Sequence, residues 1–288
     1  MGKYLQMMMV FLIFLAEFVH AATPRLAIIS GGDPKPNELL VLAEAKLFDN
    51  KGVELLERLE IDKVLAEQKL SGLFNTENAI ELGQILKVDL FAVLETTSIT
   101  VFDAKTGLRF VDETLPEELD KAAGIVADAV KTATEKQQKF ANNNLITFGV
   151  LEIRNADFPV DRDTWCKAMS SLLERSLLHR GAAVLERSRL QHVNKERQLT
   201  GNNSNELLAS MKLIDLELTR GTKPKSFRIT ARVGGETFRA EGLIEKPLET
   251  IRELAGKLLN VKEINEEINN IKEASRFLEE SRFLRKLS

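Results

Sequence analysis

The sequence predicts an α/β fold of two tandem units, each a mixed β-sheet flanked by helices, with a long helix at the C-terminus. Three observations carry this: an internal repeat, short β-branched-rich runs alternating with amphipathic stretches, and a composition that can bury a core. The repeat is the most informative, because self-similarity at a fixed offset dictates how the rest of the chain is parsed. From Gly52 the chain reads GVELLERLEIDKVLAEQKLSG, and from Gly181 it reads GAAVLERSRLQHVNKERQLTG. At a constant offset of 129, Gly52, Leu56, Glu57, Arg58, Val64, Glu67, Leu70 and Gly72 match Gly181, Leu185, Glu186, Arg187, Val193, Glu196, Leu199 and Gly201. Eight identities in 21 ungapped positions are hard to obtain by chance.

The elements follow the same order in each unit. Apolar, β-branched-rich runs at 25–30 and 146–153 open the two units as strands. Amphipathic helices follow over 37–48, burying Leu40, Ala43 and Leu47, and over 163–179, with Trp165, Met169, Leu172 and Leu173 on one stripe. Asp161 or Asp163 suits the N-cap of the second. Gly52 and Gly181 stand where a helix C′ residue takes positive φ, turning the chain into short strands at 53–56 and 182–185. Each of these ends in Glu-Arg and gives way to a short helix. Polar starts at Asn75-Thr76-Glu77 and Ser204-Asn205-Glu206 open a further helix. Third strands lie at 90–96 and 213–218. The first unit then continues through 99–102 and 108–111 around Lys105-Thr106-Gly107, and the second through 227–233 and 237–240 around Gly234-Gly235, a favoured two-residue turn. Helices from Pro116 to about Lys139 and from Pro247 onward close the units. Such alternation predicts a helix-covered sheet, and the polar stretch 137–144, with three consecutive Asn, reads as the linker. The resulting boundaries are 1–21 for a signal peptide, 22–140 and 145–260 for the units, and 261–288 for an amphipathic helical extension.

Composition limits the functions open to such a chain. Its 288 residues carry 40 Lys+Arg against 43 Asp+Glu, a net charge of −3 that gives no bulk reason to bind nucleic acid. A single Cys excludes an intramolecular disulfide framework and any Cys-rich metal cluster, and Cys166 reads as a buried packing residue. Fifteen Phe against one Trp and one Tyr point to core filling. At the N-terminus, Lys3 precedes the apolar run MMMVFLIFLA, too short to span a bilayer and suited to the core of a secretory signal. Val19-His20-Ala21 supplies small residues for cleavage before Ala22, placing the mature chain in the periplasm or outside the cell. An uncleaved anchor is the alternative. After cleavage no integral membrane insertion is expected.

The string Leu-Glu-Arg-x-x-Leu/Ile-x-x-Val-x-x-Glu-x-x-Leu resembles one in the curli assembly and secretion component family, the CsgG-like proteins. Leu185 to Leu199 matches it closely, and Leu56 to Leu70 matches with Gln68 in place of an Arg. The element order is also similar to the N-terminal domain of TolB-like proteins. The resemblance implies a periplasmic α/β domain that assembles or docks rather than catalyses. Two departures stand against pore formation. The channel-forming members are lipid-anchored through an N-terminal Cys, absent here, and insert long hairpins for which these strands are too tightly connected.

Within the string, Ile61, Val64 and Leu70, or Leu190, Val193 and Leu199, pin a short helix to the sheet. Glu57, Arg58 and Glu67, with Glu186, Arg187 and Glu196, then stand at the strand exit and helix end. They are either solvated charges at a strand-to-helix junction or an interaction surface. In the C-terminal extension Ile264, Ile268, Ile271 and Leu278 form a narrow stripe suited to a partner helix. Phe277 and Phe283, in two near-identical Ser-Arg-Phe-Leu segments, would need covering. They either fold back on the second unit or serve oligomerisation or the docking of another protein.

Signatures of catalysis are missing. His179 and His192 fit no metal-ligand spacing, and His179 reads as a dipole partner at a helix C-terminus. Ser30-Gly31-Gly32-Asp33 lacks the spacing of a phosphate loop and reads as a turn, and there is no Gly-x-Ser-x-Gly elbow. No cofactor or metal is expected. The sequence therefore points to an exported, non-enzymatic assembly or interaction module of the bacterial envelope. Its partner would be an envelope or secreted protein, or a second copy through the C-terminal helix. The alternative is a small-ligand-binding protein or hydrolase using the strand-end crevice of one unit.

Overall fold

A computed structural model of the chain describes residues 23–30, 38–48, 52–67, 82–159, 162–187, 190 and 211–259. The first half comprises β1 (Arg25–Ser30), α1 (Glu38–Phe48), β2 (Glu54–Leu55), α2 (Arg58–Glu67), β3 (Leu90–Leu94), β4 (Ser98–Asp103), β5 (Leu108–Thr114) and α3 (Leu119–Ala141). The second comprises β6 (Thr147–Val150), β7 (Arg154–Asn155), α4 (Asp163–His179), β8 (Ala183–Leu185), β9 (Lys212–Arg220), β10 (Ser226–Val233), β11 (Glu236–Leu243) and α5 (Pro247–Leu259).

All these strands lie in one mixed sheet, in the order β11-β10-β9-β6-β8-β5-β4-β3-β1-β2, with β7 pairing β9 off this path. The expectation of one sheet per unit is thus corrected: a single sheet runs through both halves, because the two sets of strands meet edge to edge, β5 against β8. In the first half β1 runs parallel to β2 and β3, and β3-β4-β5 is an antiparallel meander. In the second, β6 runs parallel to β8 and β9, and β9-β10-β11 is the meander. The register agrees as well. Leu26 sits opposite both Leu55 and Leu90, while Phe148 sits opposite both Val184 and Lys212.

Successive side chains of a strand point to opposite faces, so a central strand must be apolar throughout. β1 obeys this: Leu26 and Ile28 pack under α1 and α3, while Ala27 and Ile29 pack with Ile61 of α2 on the other face. In the second half α4 and α5 cover Phe148, Ile214, Leu216 and Ile229. Cys166 is a free, buried thiol within that core. At the β10–β11 hairpin, Gly234 and Gly235 both take positive φ, as a primed two-residue turn requires.

Two local expectations are corrected. The stretch 137–144 is not a linker over its length, because α3 runs on through Ala141. Gln, Lys and Ala sustain a helix, and the chain turns only at the three Asn, where Asn143 adopts φ +55 and the Asn144 N–H bonds back to the Lys139 carbonyl. The N-cap of α4 is Arg162 and makes no side-chain cap bond, whereas Asp163 lies inside the first turn. Asp161, the signal segment 1–21, the string beyond Glu67, Glu196, and the extension with Phe277 and Phe283 lie outside the described residues.

Candidate functional site

The halves meet over a short stretch, since β5 pairs with β8 only through Leu108↔Leu185 and Arg109↔Val184. Side chains do much of the joining. The β4–β5 register shifts where Val101 faces Val111 and Phe102 faces Arg109, which makes Phe110 the extra residue of a β-bulge. The bulge brings Arg109 and Asp112 to the same side of the strand, and Arg109 Nη1 lies 3.1 Å from Asp112 Oδ2. Arg109 also donates to Glu174 of α4 through a short contact and stands 3.8 Å from Glu186. Glu174 in turn accepts from Arg187 Nε at 2.6 Å, and Arg175 Nη2 lies 3.0 Å from Asp112. Three arginines and three carboxylates therefore alternate across the seam.

The Glu186 N–H reaches the Gly107 carbonyl at 3.2 Å, extending the backbone pairing by one bond. Beside it, Lys136 of α3 is buried and donates to three carbonyls: Phe110 at 2.7 Å, Leu178 at 2.7 Å and Ala182 at 3.0 Å. An ammonium has three donors, so this one is fully used, with one bond to the first half and two to the second.

Burial governs the electrostatics. It opposes the charge on Arg109, but the attraction of Glu174, Glu186 and Asp112 exceeds that penalty and leaves the guanidinium's pKa raised. Burial pushes the Glu186 carboxyl up despite the pull of Arg109. It also brings Lys136 down to about 8, with Glu113 working the other way. An ion network taken out of water contributes little net stability, but removing one partner strands the others.

An open cleft of about 360 Å³ adjoins the seam, walled by Asp112, Glu113, Asp128, Lys136 and His179. There His179, the last residue of α4, places Nδ1 3.3 Å from Glu113. Among the described residues no group of three His, Cys, Asp or Glu is placed to hold a metal, and no helix is long and apolar enough to cross a membrane.

The motif residues part company here. Glu186 and Arg187 lie in the seam, while their counterparts Glu57 and Arg58 lie beside β2, at the far edge of the sheet. Glu57 and Glu67 are exposed. Arg58 donates to the Ile28 carbonyl at 3.2 Å and stands 3.5 Å from Asp62. Beside it burial raises the Glu44 carboxyl, with Arg58 pulling the other way.

The 129-residue offset holds through the preceding helix, where Leu40, Ala43 and Leu47 correspond to Met169, Leu172 and Ser176, all buried. On the flanking face the halves differ. Ser170 and Leu177 are 1% and 0% exposed, but their counterparts Val41 and Phe48 are 55% and 86% exposed. Leu59, one residue past Arg58, is 79% exposed. No described strand covers β2.

Sequence reasoning missed Arg109, Asp112, Glu174 and Lys136. Two of them were signalled: Glu174 shares a helix face with Ser170 and Leu177, and Lys136 one with Ala129 and Ala133. A charge on a buried stripe needs a partner.

Comparison with protein-family models, with curated proteins and with solved structures finds no match to this chain.

Proposed function

We propose that the chain is a tandem of two copies of one CsgG-like, TolB-like α/β unit. In this reading residues 1–21 export it to the periplasm or beyond. It then acts there as a non-enzymatic assembly or interaction module of the bacterial cell envelope. The observation that supports this best is the difference between the two sheet positions that share the repeated string. One copy has a strand laid against it. The other leaves Glu57 exposed together with Val41 and Phe48 on α1 and Leu59 on α2, and apolar surface on both helices beside a sheet edge suits a contact site.

The seam supports one kind of occupant. Beside Glu186 stands Arg109 on an antiparallel strand, so the partner at β2 is an extended segment of another envelope protein, added antiparallel, with a basic side chain facing Glu57. The helical extension 261–288 is assigned a second contact, through Phe277 and Phe283, to a partner or a second copy. No pore is proposed.

Site-specific photocross-linking tests the docking. A photoreactive residue in place of Leu59 should capture an extended segment of one partner in envelope preparations, and Glu57→Arg should abolish the capture. The same group at exposed Leu119 serves as control. Capture equal to the control, or capture only of a second copy, would refute the assignment. A second reading, small-ligand binding in the second half, is favoured by a different cleft.

A further inference from the structure

We infer that a cleft at the carboxyl end of β9 binds a small amphiphilic anion, an apolar body carrying one carboxylate or phosphate head. This inference rests on the second half alone and holds whether or not a partner docks at β2. The cleft, open to solvent, spans about 400 Å³ between Phe158, Pro159 and Arg162 on one side and the β9–β10 turn on the other, within the size range of small-molecule sites. Its floor is aromatic. Phe158 packs on Trp165 with ring centroids 5.7 Å apart, and Trp165 meets Phe227 edge-on at 5.2 Å.

Four cations stand around that floor: Arg162, Arg220, Lys223 and Lys225. No carboxylate is among the described lining residues, in a chain where acids outnumber bases 43 to 40. Among the described residues none of the four cations forms an ion pair. Two nearby carboxylates are engaged elsewhere. Asp157 accepts the Arg220 backbone N–H at 3.3 Å, and Glu241 accepts from Thr222 and from both Arg228 Nε and Nη2. Like charges around an apolar hollow repel one another, and an anionic head relieves that repulsion. Between the cations the lining is largely Pro159, Pro224 and Ile244, so a body rich in polar groups would lose its hydration there.

The loop that carries two of the cations is held in place before any ligand arrives. Ser226 Oγ accepts the Lys223 N–H at 3.0 Å and donates to the Lys223 carbonyl at 2.6 Å. A side chain at Gly221 would collide with that hydroxyl, since a Cβ there would lie 2.1 Å from Ser226 Oγ. Lys225 adopts φ +56, a conformation a lysine takes only when its surroundings impose it. Across the cleft, Asn155 fixes Phe158 by accepting its N–H at 2.9 Å and donating to its carbonyl at 3.0 Å. A loop backbone fixed in advance loses little freedom on binding.

Trp165 is the chain's only tryptophan, so its fluorescence reports from the cleft floor. The test titrates the full chain with decanoate and decyl phosphate below their micelle concentrations. Decyltrimethylammonium, acetate and adenosine monophosphate serve as comparisons. The two amphiphilic anions should give a saturable change, and the three comparison compounds should not. Which anion binds more tightly distinguishes a carboxylate from a phosphate ligand. Lys223→Gln combined with Lys225→Gln should weaken binding about tenfold or more, as expected for losing charge-assisted contacts, and Lys→Arg at both positions should restore it. Thermal unfolding of each variant checks the fold, and Arg162→Gln provides an independent variant outside the loop. Equal responses to decanoate and decyltrimethylammonium, tighter binding of the nucleotide, or wild-type affinity in the glutamine variants would overturn the inference.

Discussion

The β8 position and the β2 position begin from the same string and end in opposite surroundings. At β8 the Glu-Arg pair is drawn into a seam by Arg109 and Glu174, and the flanking helix face is buried. At β2 the same pair stands at an edge, and the flanking helix face carries exposed Val41 and Phe48. The sequence difference behind this is small. Glu174 corresponds to Ala45, and Ser170 to Val41, so one copy carries the charge that grips a neighbour strand and the other carries apolar surface instead. A repeated motif thus specifies a place in the fold, while its flanks decide what covers it.

Perturbing the grip should have the largest effect. Glu174→Ala leaves Arg109 buried without its shortest partner and should cost about 3–5 kcal/mol in chemical denaturation. Ala45→Glu, the reciprocal change at an exposed site, should stay within about 0.5 kcal/mol.

Lys136→Met comes next. It deprives three carbonyls of their donor and should cost about 2–3 kcal/mol near neutral pH. The pH dependence sharpens this. The folded pKa of Lys136 is brought down to about 8 from an ordinary 10.5. Between those values the unfolded chain binds more protons, so this group's contribution to stability rises with pH across that window and is flat below about 8. Stability measured from pH 7 to 11 should show wild type gaining on Lys136→Met over that interval. No relative gain would contradict a buried, proton-shedding Lys136.

Smaller effects separate the two copies of the motif. Glu186→Ala should destabilise by about 1–2 kcal/mol, because Arg109 loses one of its counter-charges. Glu57→Ala should change stability by less than about 0.5 kcal/mol, as for exposed charges generally. Smallest of all, Leu59→Lys should leave the melting temperature unchanged while abolishing any docking at β2. A substantial loss of stability there would mean that Leu59 is covered within the chain.

Periodicity and the repeat made the element order legible, since strand alternation and helical stripes are local consequences of burial. Arg25–Ser30 and Asp163–His179 fall where those patterns place them. The joining of β5 to β8 was not legible, because two strand edges meeting is decided by backbone groups that every residue carries. The β-bulge at Phe110, which turns Arg109 toward Asp112, has no residue signature such as Gly. The seam was half visible: Glu186 and Arg187 stood out through repetition, but their partners Arg109 and Glu174 each occur once and looked like ordinary charges. The cationic cleft went unread because Arg162 and Arg220 are far apart in sequence and meet only in the folded chain.

Amide hydrogen exchange on the isolated chain tests the central contrast most directly. The Leu56 and Glu54 N–H groups point inward to Leu26 and Pro24, which leaves the Leu55 N–H on the open side of β2. At β8 the Glu186 N–H is bound across the seam to Gly107. The Leu55 and Glu57 amides should therefore exchange far faster than those of Val184 and Glu186. Equal protection at the two positions would mean that the β2 edge is already covered, and would contradict the account.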